Sequence, residues 1–200
     1  MKLYYAPGTC AMACWIALEW AGADYTVQKV DPHSDEYTKI NPLAQVPAVD
    51  IDGRIFGQAG AILQYIVDTY PQADLGAGAD PLDKFEFDEV MSFLSSDLHP
   101  AFWPYFGPQR YTTGESDADI AKAKEASYAR IDRAMTHLDK LIGDGTHVFQ
   151  DKKTVADALA FVMVRWSRNL EKSWEAYPNI ARFMHAMNDD EATQYVLKNA

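Results

Sequence analysis

Met1-Lys2-Leu3-Tyr4-Tyr5-Ala6-Pro7-Gly8-Thr9-Cys10 opens the chain, and the change of period just after it decides the fold. Lys2–Tyr5 alternates and is aromatic, which is the pattern of a strand. Pro7-Gly8-Thr9 turns the chain, and beyond it Ala11, Cys14, Trp15 and Leu18 recur at helical spacing until Gly22. Working outward, Tyr25–Val30 has strand character, and Asp35–Ile40 predicts a short helix before Asn41-Pro42. Pro47–Ile51 and Arg54–Gly57 flank Asp52-Gly53, the strongest two-residue hairpin signal. Ile62, Leu63, Ile66, Val67 and Tyr70 then make a helical stripe stopped by Pro71.

The resulting order, βαβ(α)ββα, joins a parallel pair through a crossover helix to an antiparallel hairpin with a covering helix. Residues 1–71 are therefore expected to form a mixed four-stranded sheet of the thioredoxin-like kind. Residues 72–80 are small and polar, with scattered Gly and Ala, and read as a linker. From 81 to 200 the pattern is helical. Phe87, Val90, Met91, Leu94 and Leu98 follow one face, while Ile120, Ala123, Ser127, Ile131, Ala134, Leu138 and Leu141 follow another. Two long helices facing each other are expected, the second ended by Gly143-Asp144-Gly145. Further stripes lie at Val155–Trp166 and, after Pro178, at Ile180–Met187. The fold class is thus an α/β thioredoxin-like N-terminal domain plus an all-α C-terminal helical bundle.

The formal net charge of -11 opposes binding to nucleic acid or to anionic membrane, both of which recruit Lys and Arg excess. No run approaches the ~20 apolar residues of a membrane span. The N-terminal stretch ends in Ala21-Gly22-Ala23, superficially like a secretory cleavage site. Pro7, Gly8 and Glu19 interrupt it, however, and cleavage would delete a strand, so a cytoplasmic location is expected. The two cysteines, Cys10 and Cys14, lie four apart on one helix. Their Cβ atoms would be roughly 5–6 Å apart, beyond the ~3.8 Å of a disulfide. The C-x-x-x-C spacing is neither a redox pair nor half of a zinc site, and no metal is expected.

Cys10 stands where the free N–H groups and positive dipole end of the first helix favour a thiolate, a route to a lowered pKa and a nucleophile. Equally open is a small half-buried core residue. Cys14, among Ala11, Trp15 and Leu18, reads as core. Val46-Pro47 begins a strand. A cis bond there would turn the N–H and C=O of Val46 outward for strand addition to an extended peptide. Gln58, at the entrance to the next helix, is placed for the charged end of such a peptide or is a solvated turn residue.

Three segments, Met1–Cys10, Asn41–Ala48 and Gln58–Tyr65, resemble cytosolic glutathione transferases, especially the bacterial beta class. Leu98-His99-Pro100-Ala101-Phe102 and Thr154-Val155-Ala156-Asp157 resemble them too, so the likeness runs in order along nearly the whole chain. The resemblance implies that Cys10 lies beside the glutathione sulfur and that His99 points towards it from the helical half. It implies that Val46, before cis-Pro47, binds the cysteinyl backbone, and that Gln58 and Ala59 take the γ-glutamyl end. Glutathione is then a co-substrate, a small apolar electrophile the second substrate, and a homodimer the assembly. Thr154 and Asp157 form a helix cap assigned to folding. Trp103, Tyr105, Phe106 and Trp166 are candidates either for the apolar half of the pocket or for core.

Several positions depart from the family pattern. Ala11 and Trp15 replace a serine and a histidine, Ala59 replaces a serine at the γ-glutamyl site, and Pro100 replaces a lysine. One lost bond to a charged ligand group is worth about 1.5–3 kcal/mol. The activity implied is conjugation of glutathione thiolate, with thiol-disulfide exchange at Cys10 as a further possibility. The rival readings are a glutathione-dependent reductase or isomerase, a non-catalytic ligand-binding relative, and a protein-interaction module.

Overall fold

The computed structural model describes all 200 residues. Its single sheet has the strand order β2-β1-β3-β4. β1 (Lys2–Tyr5) runs parallel to β2 (Thr26–Lys29) and antiparallel to β3 (Ala48–Ile51), which pairs antiparallel with β4 (Arg54–Gly57). Leu3, on the central strand, lies opposite both Val27 and Val49. Asp52 and Gly53 turn the hairpin with φ of 52° and 79°, the left-handed pair that a two-residue turn requires. The Asp50 carboxylate accepts from Gly53 N at 2.8 Å and locks the turn.

The helices of this half are α1 (Ala11–Trp20), α2 (Asp35–Ile40) and α3 (Ala59–Thr69). A single apolar stripe understates α1, because Ala11 to Leu18 are buried without a break. A helix apolar all round is covered all round. Here α3 packs on one side of α1, and two helices of the C-terminal half, α8 (Val155–Arg165) and α10 (Glu191–Asn199), pack on others. The small side chains of Ala11, Ala13, Cys14 and Ala17 let neighbouring backbones close in. The main core therefore runs without interruption from Leu3, Ile16 and Ile62 to Leu98, Phe161 and Phe183.

Residues 72–80, read from composition as a linker, are pinned along part of their length. Leu75 O accepts from Val155 N at 2.9 Å, and Lys152 Nζ donates to Asp74 Oδ1 at 2.6 Å and to Gly76 O at 3.1 Å. Glycine at 76 serves close approach rather than freedom, since a Cβ there would stand 2.5 Å from Val67 Cγ1. Val67 is β-branched and has little rotameric room to yield. Gly76→Ala is expected to destabilise by about 1–3 kcal/mol, as overpacking does, read as a lower urea midpoint. An unchanged midpoint would mean that the segment shifts freely.

The helical half departs from the expected pair of facing helices. α4 (Pro81–Phe93) gives way to a π turn at Leu94–Leu98 and then to two short helices, α5 (His99–Ala101) and α6 (Trp103–Phe106). The long α7 (Asp117–Ile142) packs on α6, on α9 (Pro178–Asp189) and on the π turn. It touches α4 at that helix's end, where Phe93 meets His137 with ring centroids 4.6 Å apart. Along α7 the buried positions drift to Met135 and Ile142, leaving Leu141 half-exposed. A straight helix of 3.6 residues per turn walks away from the near-3.5 spacing read in the sequence.

The Thr154–Asp157 cap holds the start of α8, with Thr154 N donating to Asp157 Oδ2 at 2.7 Å. The same fully buried carboxylate accepts from Val148 N at 2.7 Å, and His147 Nδ1 lies 3.4 Å away. Asp190 ties the two halves. It accepts from Trp20 Nε1 (2.9 Å) and Lys153 Nζ (2.6 Å) while capping α10 through Thr193 N.

Candidate functional site

Cys10 is the N-cap of α1, held by the turn before it. Gly8 adopts φ 74°, Thr9 Oγ1 donates to Ala6 O at 2.7 Å, and Gly8 N points at Met12 Sδ at 3.2 Å. The thiol is mostly buried and donates to Val46 O at 3.6 Å, across 36 residues of sequence. Val46-Pro47 is a cis peptide bond. Cys10, Val46 and Pro47 therefore meet in one corner.

Of the two readings left open for Cys10, burial supports the half-buried core residue. Removal from water pushes the thiol up to about 11, outweighing the opposing help of its own backbone N–H. At neutral pH, Cys10 in the free protein is a thiol. Cys14 is fully buried, its pKa driven well up by burial and then by Cys10, and its Sγ lies 3.9 Å from Ala59 O. Both cysteines are free.

Gln58 and Ala59 form the entrance of α3. Gln58 is exposed, with φ 70° and ψ 111°. A side chain on such a backbone costs about 1–3 kcal/mol, a strain that persists where the surroundings over-determine it and that gathers at ligand clamps. The preceding residue, Gly57, pairs with Ala48, so the entrance of α3 sits at the same end of the sheet as cis-Pro47. The first N–H groups of α3 lie at this entrance, the end of a helix that attracts anions.

His99 begins α5 and comes from the other half of the chain. Its ring packs against Trp166 (centroids 5.0 Å apart) and Trp103 (5.7 Å). Burial lowers its pKa, so the imidazole is neutral at pH 7. Trp166 bridges the halves, because its Nε1 donates to Gly8 O at 2.8 Å in the turn that carries Cys10. Sequence reasoning named Trp166 as pocket wall or core and missed this bond, since no local pattern pairs an indole with a carbonyl 158 residues away.

The four aromatic candidates divide. Trp103 (47% exposed) and Phe106 (56% exposed) present apolar surface beside Trp166, whose ring also meets Phe106 at 5.5 Å. Tyr105 instead turns to α7, where it meets Tyr128 at 6.3 Å and lies under Lys124 Nζ at 4.6 Å. Phe102 lies fully buried beneath the cluster. The arrangement offers a polar corner at Cys10, Val46 and Gln58, a neutral imidazole, and an exposed aromatic face. No three His, Cys, Asp or Glu side chains converge as a metal site would need.

Comparison with known proteins agrees with this fold. Residues 1–68 match the glutathione S-transferase N-terminal domain, and residues 121–186 match the C-terminal domain of the same family. A glutathione S-transferase of Xanthomonas campestris pv. campestris is 31% identical over 99% of this chain and 98% of its own length. Among solved structures, a bacterial beta class glutathione S-transferase of Sphingomonas chungbukensis superposes with a TM-score of 0.86 at 32% identity. That match covers 100% of this chain and 98% of the other. A sphingomonad glutathione S-transferase complexed with glutathione gives 0.86 at 30% identity, over 100% and 98% of the two chains. With the sheet order, the two-part architecture and these full-length matches in agreement, the chain belongs to the glutathione transferase family.

Proposed function

We propose that this enzyme conjugates glutathione, through its sulfur, to small apolar electrophiles. The observation that carries the reading is the meeting of the Cys10 thiol with the Val46 carbonyl before cis-Pro47. The cysteinyl part of glutathione pairs with the Val46 backbone as an added strand would. Its γ-glutamyl end lies at Gln58 and Ala59, against the N-terminus of α3. Ala59 supplies no hydroxyl, so this end is held more weakly than a serine would hold it.

Because Cys10 stays protonated, its single S–H turns from Val46 O, which the cysteinyl N–H of glutathione then takes, and donates to the glutathione sulfur rather than acting as the nucleophile. The glutathione thiol gives up its proton to neutral His99, whose ring packs on Trp166, the side chain bonded to the turn that carries Cys10. The sulfur then forms a bond to the electrophilic carbon. With an aryl halide, the carbon–halogen bond breaks and the halide leaves with its electron pair. Trp103, Phe106 and Trp166 supply the apolar face for the acceptor.

Residues 1–71 act as the glutathione-binding domain, 72–80 as the connection and 81–200 as the acceptor-binding domain. Leu82 and Phe85 on α4, together with Ile55 and Phe56 on β4, remain exposed and are the faces by which two copies would form a homodimer. Two free cysteines suit the reducing cytoplasm.

The test is glutathione calorimetry on wild type and Cys10→Ala, then turnover with an aryl halide and with a small disulfide. The wild type should conjugate. Cys10→Ala should bind glutathione within about tenfold of wild type but lose about 10- to 100-fold of conjugation, the worth of one hydrogen bond to a charged sulfur. Disulfide turnover that vanishes in the variant while conjugation is unchanged would assign thiol exchange instead. No binding at millimolar glutathione would sink both.

A further inference from the structure

A cleft apart from the Cys10 corner opens on the C-terminal half, between the turn that follows α8, the short 3-10 turn Trp174–Ala176, and α9. Its walls include Arg165, Arg168, Ser173, Trp174, Glu175 and Asn188. None of the residues assigned above to glutathione or acceptor binding lines it. Trp166 turns to Gly8, while its sequence neighbour Arg165 turns to this cleft.

Two guanidinium groups in one cleft are unexpected in a chain with 29 acidic and 18 basic residues. Neither makes an ion pair or a side-chain hydrogen bond. All four ion pairs of the protein lie elsewhere, at His147–Asp157, Lys152–Asp74, Lys153–Asp190 and Lys172–Asp132. Glu175 lines the same cleft without pairing to either arginine. Arg182 marks the contrast, since its guanidinium is committed to Gly143 O, Gly145 O and Asn179 Oδ1.

Arg165 is half-buried, with its Cζ 5.5 Å from the Phe161 ring centroid. Burial, and next the charge of Arg168, work against its charged form. A guanidinium cannot shed its proton to escape that cost, so an anion is what would relieve it. Trp174 is partly exposed, with its ring set edge-on to His185 at 5.8 Å. Ser173 Oγ accepts from Glu175 N and so keeps its own O–H to donate. The cleft is about 280 Å³, which suits a head group and one ring rather than a polymer.

We propose that this cleft binds a small oxyanion, carboxylate or phosphate, whose flat apolar body lies against Trp174 and whose oxygens take the paired guanidiniums of Arg165 and Arg168. Arginine is the side chain best shaped for such oxygens, presenting parallel N–H donors in a fixed fork. The pair selects charge and geometry, and the indole adds apolar contact.

The experiment titrates inorganic phosphate, phenyl phosphate and benzoate into the full-length protein in low-salt buffer. Binding is followed by the indole N–H signal of Trp174, identified with Trp174→Phe, and by calorimetry. Phenyl phosphate or benzoate should saturate the signal, phosphate alone should bind about tenfold more weakly, and added salt should weaken all three. The relative affinities of phenyl phosphate and benzoate identify the preferred head group. Arg165→Gln and Arg168→Glu should each cost at least about tenfold in affinity, with conjugation of an aryl halide unchanged. Arg168 is exposed, so its variant tests the site even if Arg165→Gln disturbs the packing on Phe161. Equal affinity in Arg168→Glu, or titration that never saturates, would overturn the proposal. So would displacement by glutathione with no effect of the arginine changes, which would place the anion at the Cys10 corner.

Discussion

Asp157→Ala is expected to lower the unfolding free energy by about 3–5 kcal/mol, the largest stability loss of any single substitution discussed. The carboxylate is fully buried and accepts from Thr154 N and Val148 N, both at 2.7 Å. Alanine leaves both donors dry. It also removes the box that starts α8, a helix whose residues from Val155 to Val164 are all buried. A lost cap alone costs roughly 1 kcal/mol, and each orphaned donor adds about 1–3 kcal/mol. Asp157→Asn, which keeps an acceptor of the same size, should recover part of the loss. Urea midpoints followed by circular dichroism and by tryptophan fluorescence check the result. A change below about 1 kcal/mol would mean that the loop at 148 relaxes to water.

The same carboxylate gives stability a pH signature. Contact with Asp157 raises the His147 pKa above its ordinary 6.5, with burial acting in the opposite sense. A raised folded value means that the charged imidazole stabilises the fold fully below pH 6.5, and that this contribution is lost as pH rises through the folded value. His147→Ala should therefore cost most at acid pH and least in alkali, and in Asp157→Ala that difference should flatten.

The second large effect concerns turnover. Trp166→Phe is expected to reduce kcat/KM for conjugation by about 10- to 100-fold while costing no more than about 1–2 kcal/mol of stability. Phenylalanine keeps an aromatic surface against His99, Phe102 and Phe106 but cannot donate to Gly8 O. The turn carrying Cys10 then loses its only hydrogen bond from Trp166, and displacements of an ångström at a reacting centre are costly. A fall in kcat with glutathione affinity retained would fit loss of alignment. Wild-type kinetics would confine Trp166 to packing.

Much of the N-terminal half was legible because its signals are local. The period-2 run at Lys2–Tyr5, the Asp52-Gly53 turn and the stripe on α3 each specify an element within a few residues. The helical half was less readable. Pro100 and Pro104 break a hydrophobic run into the short helices α5 and α6, and a proline-interrupted stripe has no period to detect. α10 was missed although Asp190 is a good cap, since nine mostly polar residues carry too little apolar repeat. At the site, the start of the first helix pointed to Cys10 and the Val46-Pro47 step to Val46, while family likeness was needed for His99. The protonation state of Cys10 was invisible, because it depends on burial beneath segments distant in sequence.

The all-round burial of α1 bears on how such a protein can change over generations. Its small residues touch the sheet half on one side and α8 and α10 on the others, so a larger side chain almost anywhere on it must be accommodated by both halves at once. Neither half can be exchanged for a homologous module without bringing a matching α1 surface, and truncation at the connection would strip α1 of its cover. The chain is two architectures by shape and one unit of inheritance by packing.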